Sequence, residues 1–139
     1  MSRRLWIVVG IGGGLGALAR EGMSLIGTRG WFPLDFFAIN ILGSFLIGVV
    51  MALSVEYDIL PTEMRLFFGV GVLGGFTTFS TYMLGAHNLL QHSVQEALTY
   101  LLGTWGIGLV AVWSGLLAIR SAAAWVQSRG EEGSEEEKS

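Results

Sequence analysis

The chain has 139 residues, enough for one domain and little more. It is 52% hydrophobic and 14% charged, with a formal net charge of −3, whereas an average soluble chain is roughly 25% charged; this excludes an ordinary water-soluble globule. It has no cysteine, which excludes disulfides, a thiolate metal site and a cysteine nucleophile.

Taken in chain order, the first apolar run is Leu5–Ala19. It reaches spanning length only by continuing past Arg20 and Glu21 to about Ile26, so a helix is expected over roughly 4–27. Arg3 and Arg4 ahead of this run match the opening of a signal peptide, but no small-residue cleavage site follows and the run ends in Arg-Glu, so a retained span is expected. The turn GTRGWFP follows, with Gly30 and Pro33 as breakers. A second helix is expected over roughly 34–55, where Phe36–Val55 carries no charge. The linker EYDILPTEMR ends it, and Thr62 is the expected N-cap of the third helix. The uncharged stretch Leu66–Ala86 lies in that helix, and Ala97–Ile119 lies in a fourth, expected over roughly 96–125. At about 1.5 Å per residue each of these runs can cross a hydrocarbon core of roughly 30 Å. The expectation is an all-α membrane protein with four transmembrane helices. Trp125 suits the membrane interface, and the acidic segment 127–139, QSRGEEGSEEEKS, is expected to be a disordered tail.

Four spans put both termini and the second connection on one side. That side holds Arg3, Arg4, Arg65, Arg120, Arg129 and Lys138, and the other holds Arg20 and Arg29. The bias favours cytoplasmic termini, with Lys138 discounted for its distance beyond the acidic run.

Helix one contains GIGGGLGALAR, in which Gly12, Gly14 and Ala17 satisfy the dinucleotide-binding pattern G-x-G-x-x-A. No alternating strand–helix pattern follows, so that reading is rejected. Gly10/Gly14, Gly12/Gly16 and Gly71/Gly75 are small-x-x-x-small pairs that allow close helix packing in lipid. A tight bundle is expected, and a dimer is the economical way for four spans to enclose a pathway.

Polar groups inside a membrane are costly unless they pair or line a wet path. Leu73–Gly85, LGGFTTFSTYMLG, places five hydroxyls (Thr77, Thr78, Ser80, Thr81, Tyr82) within six residues. Asn40 and Ser44 lie in helix two, Thr104 lies in helix four, and Arg20 lies near the end of helix one. A lone Ser or Thr ordinarily bonds back to the carbonyl one turn earlier; five together call for more. No acid or base lies deep in helices two to four, which disfavours proton-coupled export, and no nucleophile-elbow or Ser-His-Asp pattern supports an enzyme. Neutral N–H and O–H donors and the positive edges of aromatic rings suit an anion. Gly74–Gly75 followed by two β-branched residues also reads as a helix interruption, with an unbroken glycine-packed helix as the equal alternative.

The motifs GGGLGALAR, FAINILGSFLIG and GVGVLGGFTTFSTY, in helices one, two and three, resemble the Fluc (CrcB) family of fluoride channels. The resemblance covers nearly all of the chain up to the acidic tail and implies that residues 1–126 form a channel domain. It implies passive fluoride export that relieves toxicity, in a bacterial or archaeal cell (inner) membrane. It also implies an antiparallel, dual-topology homodimer with two pores, embedded in lipid, with helix three broken mid-membrane. It implies a structural Na+ at the dimer centre, held by the backbone carbonyls of Gly74 and Thr77 from both subunits. On the fluoride pathway it implies an Asn40 amide donor, Phe79 as the first pore aromatic, Ser80 and Thr81 in a polar track, and Arg20 at a positive pore mouth. Tyr82 departs from the family, which usually has Phe there; its ring edge is kept, but its hydroxyl needs a partner. Thr104 is the expected contribution of helix four. The charge bias is somewhat larger than dual insertion leads one to expect. Two rivals remain: a small dual-topology proton-coupled drug antiporter, for which Glu21 is the lone candidate acid, and a membrane scaffold subunit whose glycine faces dock a partner.

Overall fold

The computed structural model describes residues 3–26 and 30–136, with side chains described as far as Arg129. All regular structure in these residues is helical. Helix α1 spans Arg3–Ile26, and α2 spans Leu34–Met51 and runs on into a π-helical turn, Ala52–Glu56. The third stretch is composite. Short α3, Thr62–Arg65, leads into a π-helical segment, Leu66–Val72, and then α4, Leu73–Phe76. Helix α5 follows over Ser80–Leu90, and α6 over Val94–Glu136.

Three helical stretches are long and apolar enough to cross a membrane: Leu34–Glu56, Thr62–Leu90 and Val94–Arg129. Helix α1 has the length, at 24 residues, but its glycines and the charges of Arg3, Arg4, Arg20 and Glu21 set it apart in hydropathy. Much of the outward surface is apolar: Trp105, Leu109 and Trp113 of α6 are each more than 60% exposed. A bundle whose solvent is hydrocarbon has no need to hide such side chains.

Local chemistry explains the element ends. Pro61, at φ −60° and ψ 154°, takes the N-cap position of α3, one residue before the expected Thr62; proline has no N–H to leave unpaired there. In the preceding linker Asp58 adopts φ 50°, a left-handed conformation that a short polar side chain tolerates. Within the π segments each bond reaches back five residues, as in Tyr57 N–H to the Ala52 carbonyl at 3.1 Å and Leu73 N–H to that of Phe68. Helix α6 has 43 residues, a length of about 65 Å. It continues past residue 127, the expected start of the disordered tail, because RSAAAWVQSR is rich in helix formers and Arg129 sits over the Trp125 ring at 4.7 Å, one turn on. Residues 137–139 of the expected tail, and Gly27–Arg29 of the expected turn, lie outside the described residues.

Glycines bring the helices together. Helix α1 packs on the Leu66–Val72 segment and α4. A Cβ at Gly12 would lie 2.7 Å from the Phe67 carbonyl oxygen, and one at Gly16 or Gly75 would collide with backbone across the contact. Of the expected pairs, Gly12/Gly16 and Gly71/Gly75 form this interface, whereas Gly10 and Gly14 face open space. The pairing of α2 with α6 is built the same way. Gly48 lies against the Val112 carbonyl and Gly115 against that of Phe45, a contact the sequence reading did not single out. At the end of α2, Arg120 of α6 forms a bidentate ion pair with Glu56, at 2.8 and 2.6 Å. The small buried core joins α5 to α6: Tyr82, Ala86, Leu89, Ala97 and Tyr100.

Candidate functional site

Helical structure stops at Phe76 and resumes at Ser80. Thr77 between them is extended, at φ −72° and ψ 156°. Its N–H still reaches the Leu73 carbonyl at 3.0 Å, and its hydroxyl donates to the same carbonyl at 2.8 Å. At Thr78 the helical pattern is abandoned. The Thr78 N–H donates to Asn40 Oδ1 at 3.0 Å, and Asn40 Nδ2 donates to the Thr78 carbonyl at 3.1 Å. One side-chain amide in α2 thus satisfies both backbone groups of one residue in the interruption. Gly43, on the same face of α2, makes room for it: a Cβ there would collide with the Thr77 methyl group.

Thr78 then starts α5. It lies one residue before the N-cap Phe79; its hydroxyl accepts the Thr81 N–H at 3.3 Å and donates to Thr81 Oγ1 at 3.1 Å. Ser80 Oγ lies 3.4 Å from it. Thr78 is 8% exposed. The expected site residues did not include it, although threonine is a residue type whose hydroxyl takes backbone N–H groups at helix starts.

Beside the interruption lies an open cavity of about 520 Å³ between α2, the third helical stretch and α6. Asn40, Gly74, Thr77, Phe79, Tyr82 and Thr104 all line it. Its other polar lining residues are Ser44, Thr78 and Trp105, so the described lining contains no acid and no base. Among the other expected residues, Ser80 and Thr81 are joined to the cavity wall through the Thr78 hydroxyl. Arg20 reaches across from α1, where Nη1 donates to the Thr77 carbonyl at 3.3 Å.

The hydroxyls divide into spent and available donors. Thr77 donates to Leu73, Thr104 to Tyr100 O at 2.6 Å within its own helix, and Tyr82 to the Leu101 carbonyl at 2.9 Å. The Thr81 hydroxyl accepts from Thr78 and keeps its own proton. Asn40 keeps its second amide N–H, since only one is used on Thr78. Phe79 is 70% exposed and Tyr82 is 4% exposed; their ring centroids are 6.1 Å apart, at an interplanar angle of 49°. Tyr82 is held from behind by Tyr100, at 5.2 Å.

A hard cation is bound by oxygen ligands. The carbonyls of Gly74 and Thr77 are hard oxygens, and an unbroken helix would occupy them with the N–H groups of Thr78 and Thr81. Both N–H groups are engaged elsewhere, on Asn40 Oδ1 and Thr78 Oγ1. Gly74 is exposed, with nothing within 4 Å of its Cβ direction. The donor chemistry fits a small monovalent cation, with the Thr77 carbonyl shared with Arg20 Nη1.

Residues 7–116 match the family described as CrcB-like protein, Camphor Resistance (CrcB). The chain is 43% identical over 125 residues to the fluoride-specific ion channel FluC 2 of Nocardia farcinica, covering 86% of this chain and 84% of that one. It is 42% identical over 124 residues to FluC 1 of Streptomyces coelicolor, covering 87% and 80%, and 44% identical over 114 residues to FluC of Thermus thermophilus, covering 79% and 90%. These relatives are named as channels, not enzymes. With a family match over 7–116 and such identity along most of its length, the chain belongs to the CrcB family.

Proposed function

We propose that the protein is a fluoride-specific channel that exports fluoride passively and so relieves its toxicity. The observation that carries this reading is the cavity beside the interruption, whose described polar lining is neutral throughout. An anion entering it meets the free N–H of Asn40, the edge of Phe79 and the ring of Tyr82. The free proton of Thr81 lies beyond, behind the Thr78 hydroxyl, to which Ser80 donates. These donors replace part of the ion's hydration, and the absence of a carboxylate removes the main repulsive barrier. Arg20 contributes positive charge from α1. Thr104 acts as wall rather than donor, because its proton is spent on Tyr100.

The proposed working unit is an antiparallel, dual-topology homodimer in a bacterial or archaeal inner membrane, each subunit contributing four spans with the interruption of the third at mid-membrane. Support comes from the length of α1, from the open glycine face at Gly10 and Gly14, and from the apolar outer faces of α6. Gly74 and Thr77 from two subunits would hold a sodium ion, which supplies positive charge at the centre of the assembly. The drug-antiporter reading needs a mid-membrane acid. Its one candidate, Glu21, is exposed near the end of α1, and the relatives' names do not favour it.

Fluoride efflux from proteoliposomes tests the function: fast fluoride release without chloride release is expected, and equal flux of the two ions, or none, rejects it. The natural lack of cysteine allows single-cysteine labelling from each side of the membrane to test dual topology, where labelling from one side only would reject it.

A further inference from the structure

We infer that Asn40 and Thr78 are positioning residues for the cation site: their side chains divert the two N–H groups that would otherwise occupy the Gly74 and Thr77 carbonyls. This rests on the sodium reading given above and assigns to this chain's own side chains the task of keeping that site open.

In a continuous helix the N–H of residue i bonds to the carbonyl of residue i−4. Thr78 N–H is therefore the natural partner of Gly74, and Thr81 N–H that of Thr77. The first instead donates to Asn40 Oδ1 at 3.0 Å and the second to Thr78 Oγ1 at 3.3 Å. The two diversions are coupled. Asn40 also binds the Thr78 carbonyl, and so holds the residue whose hydroxyl performs the second diversion. The two carbonyls so released from helical bonding are the two that the sodium reading assigns to the cation, and that of Thr77 also accepts from Arg20 Nη1 at 3.3 Å. A carbonyl already holding a helical N–H has one lone pair committed and its dipole aligned with the helix, and it is the poorer cation ligand. Interruption and ligand set thus come from the same pair of side chains, one on α2 and one at the start of α5.

Thr78→Val keeps the shape and β-branching of the residue and removes the hydroxyl, so Thr81 N–H returns to the Thr77 carbonyl. Thr78→Ser keeps the hydroxyl. The experiment is thermal unfolding of the purified full-length wild type and both variants across a sodium chloride series, with choline chloride holding ionic strength constant. The expected result is that Thr78→Val needs about fivefold more sodium for half-maximal stabilisation, as the loss of one hydrogen bond implies, and that Thr78→Ser follows the wild type. If Thr78→Val proves unstable without sodium, Thr78→Ala is measured in the same series, with the same expectation. A sodium response of Thr78→Val equal to wild type overturns the inference, as does an equal shift in Thr78→Ser. A wild type that does not respond to sodium at all overturns the sodium reading, and the inference with it.

Discussion

The Tyr82 hydroxyl donates to the backbone carbonyl of Leu101, 2.9 Å away on α6. That bond supplies the partner that a tyrosine at this position needs and commits its hydroxyl proton to α6, while the residue lines the cavity. A phenylalanine ring could occupy the same place. Tyr82→Phe should therefore keep fluoride flux within about threefold of wild type while lowering stability by about 1 kcal/mol, the net worth of one hydrogen bond. Proteoliposome flux and thermal unfolding measured on one preparation check both halves. A collapse of flux would mean that the hydroxyl itself contacts the ion.

Phe79 is the opposite case. It is 70% exposed, so little packing depends on it. Phe79→Ile removes a ring edge and keeps an apolar side chain, and it should cut fluoride flux about tenfold, as the loss of an aromatic contact implies, with unchanged unfolding temperature. Flux at the wild-type level would place the pathway elsewhere.

Asn40→Asp replaces a group that both donates and accepts with one that only accepts. The carboxylate would face the Thr78 carbonyl, which now receives the Asn40 Nδ2 proton at 3.1 Å, and it would add negative charge to an anion path. We expect flux below about a tenth of wild type and a stability loss of about 1–3 kcal/mol. Flux assay and chemical unfolding report the two effects separately.

Close packing of α1 against the third helical stretch gives a stability prediction. A Cβ at Gly75 would collide with the Gly13 carbonyl, whereas one at Gly22 meets nothing within 4 Å. Gly75→Ala should cost about 1–3 kcal/mol through overpacking, and Gly22→Ala should change stability by less than about 0.5 kcal/mol. Unfolding of the two variants side by side checks this; equal behaviour would mean that the contact is not tight.

Much of the architecture follows from local pattern. Uncharged runs such as Phe36–Val55 and Ala97–Ile119 mark helices by length and composition, and Pro33 and Pro61 mark where helices begin. The GGFTTFSTY cluster was visible as an anomaly because hydroxyls in hydrocarbon require partners. Which partners they take was not legible. Thr77 and Thr104 bond back to the carbonyl four residues earlier, Tyr82 crosses to α6, and Thr78 takes the Thr81 N–H. The glycines show the same division. Gly12 and Gly10 belong to equivalent patterns in the sequence, yet the first is packed against Phe67 and the second is open.

By itself the sequence determined that this is a helical membrane protein, where its apolar spans lie, and that its polar interior is free of deep charge; each of these depends on residue type and spacing along one helix. The tertiary structure alone decided which donors remain available and which carbonyls are released. A hydrogen bond such as that between Asn40 and Thr78 joins residues 38 positions apart. Local periodicity carries no information about that distance, so the pairing exists only once α2 and the third helical stretch have packed.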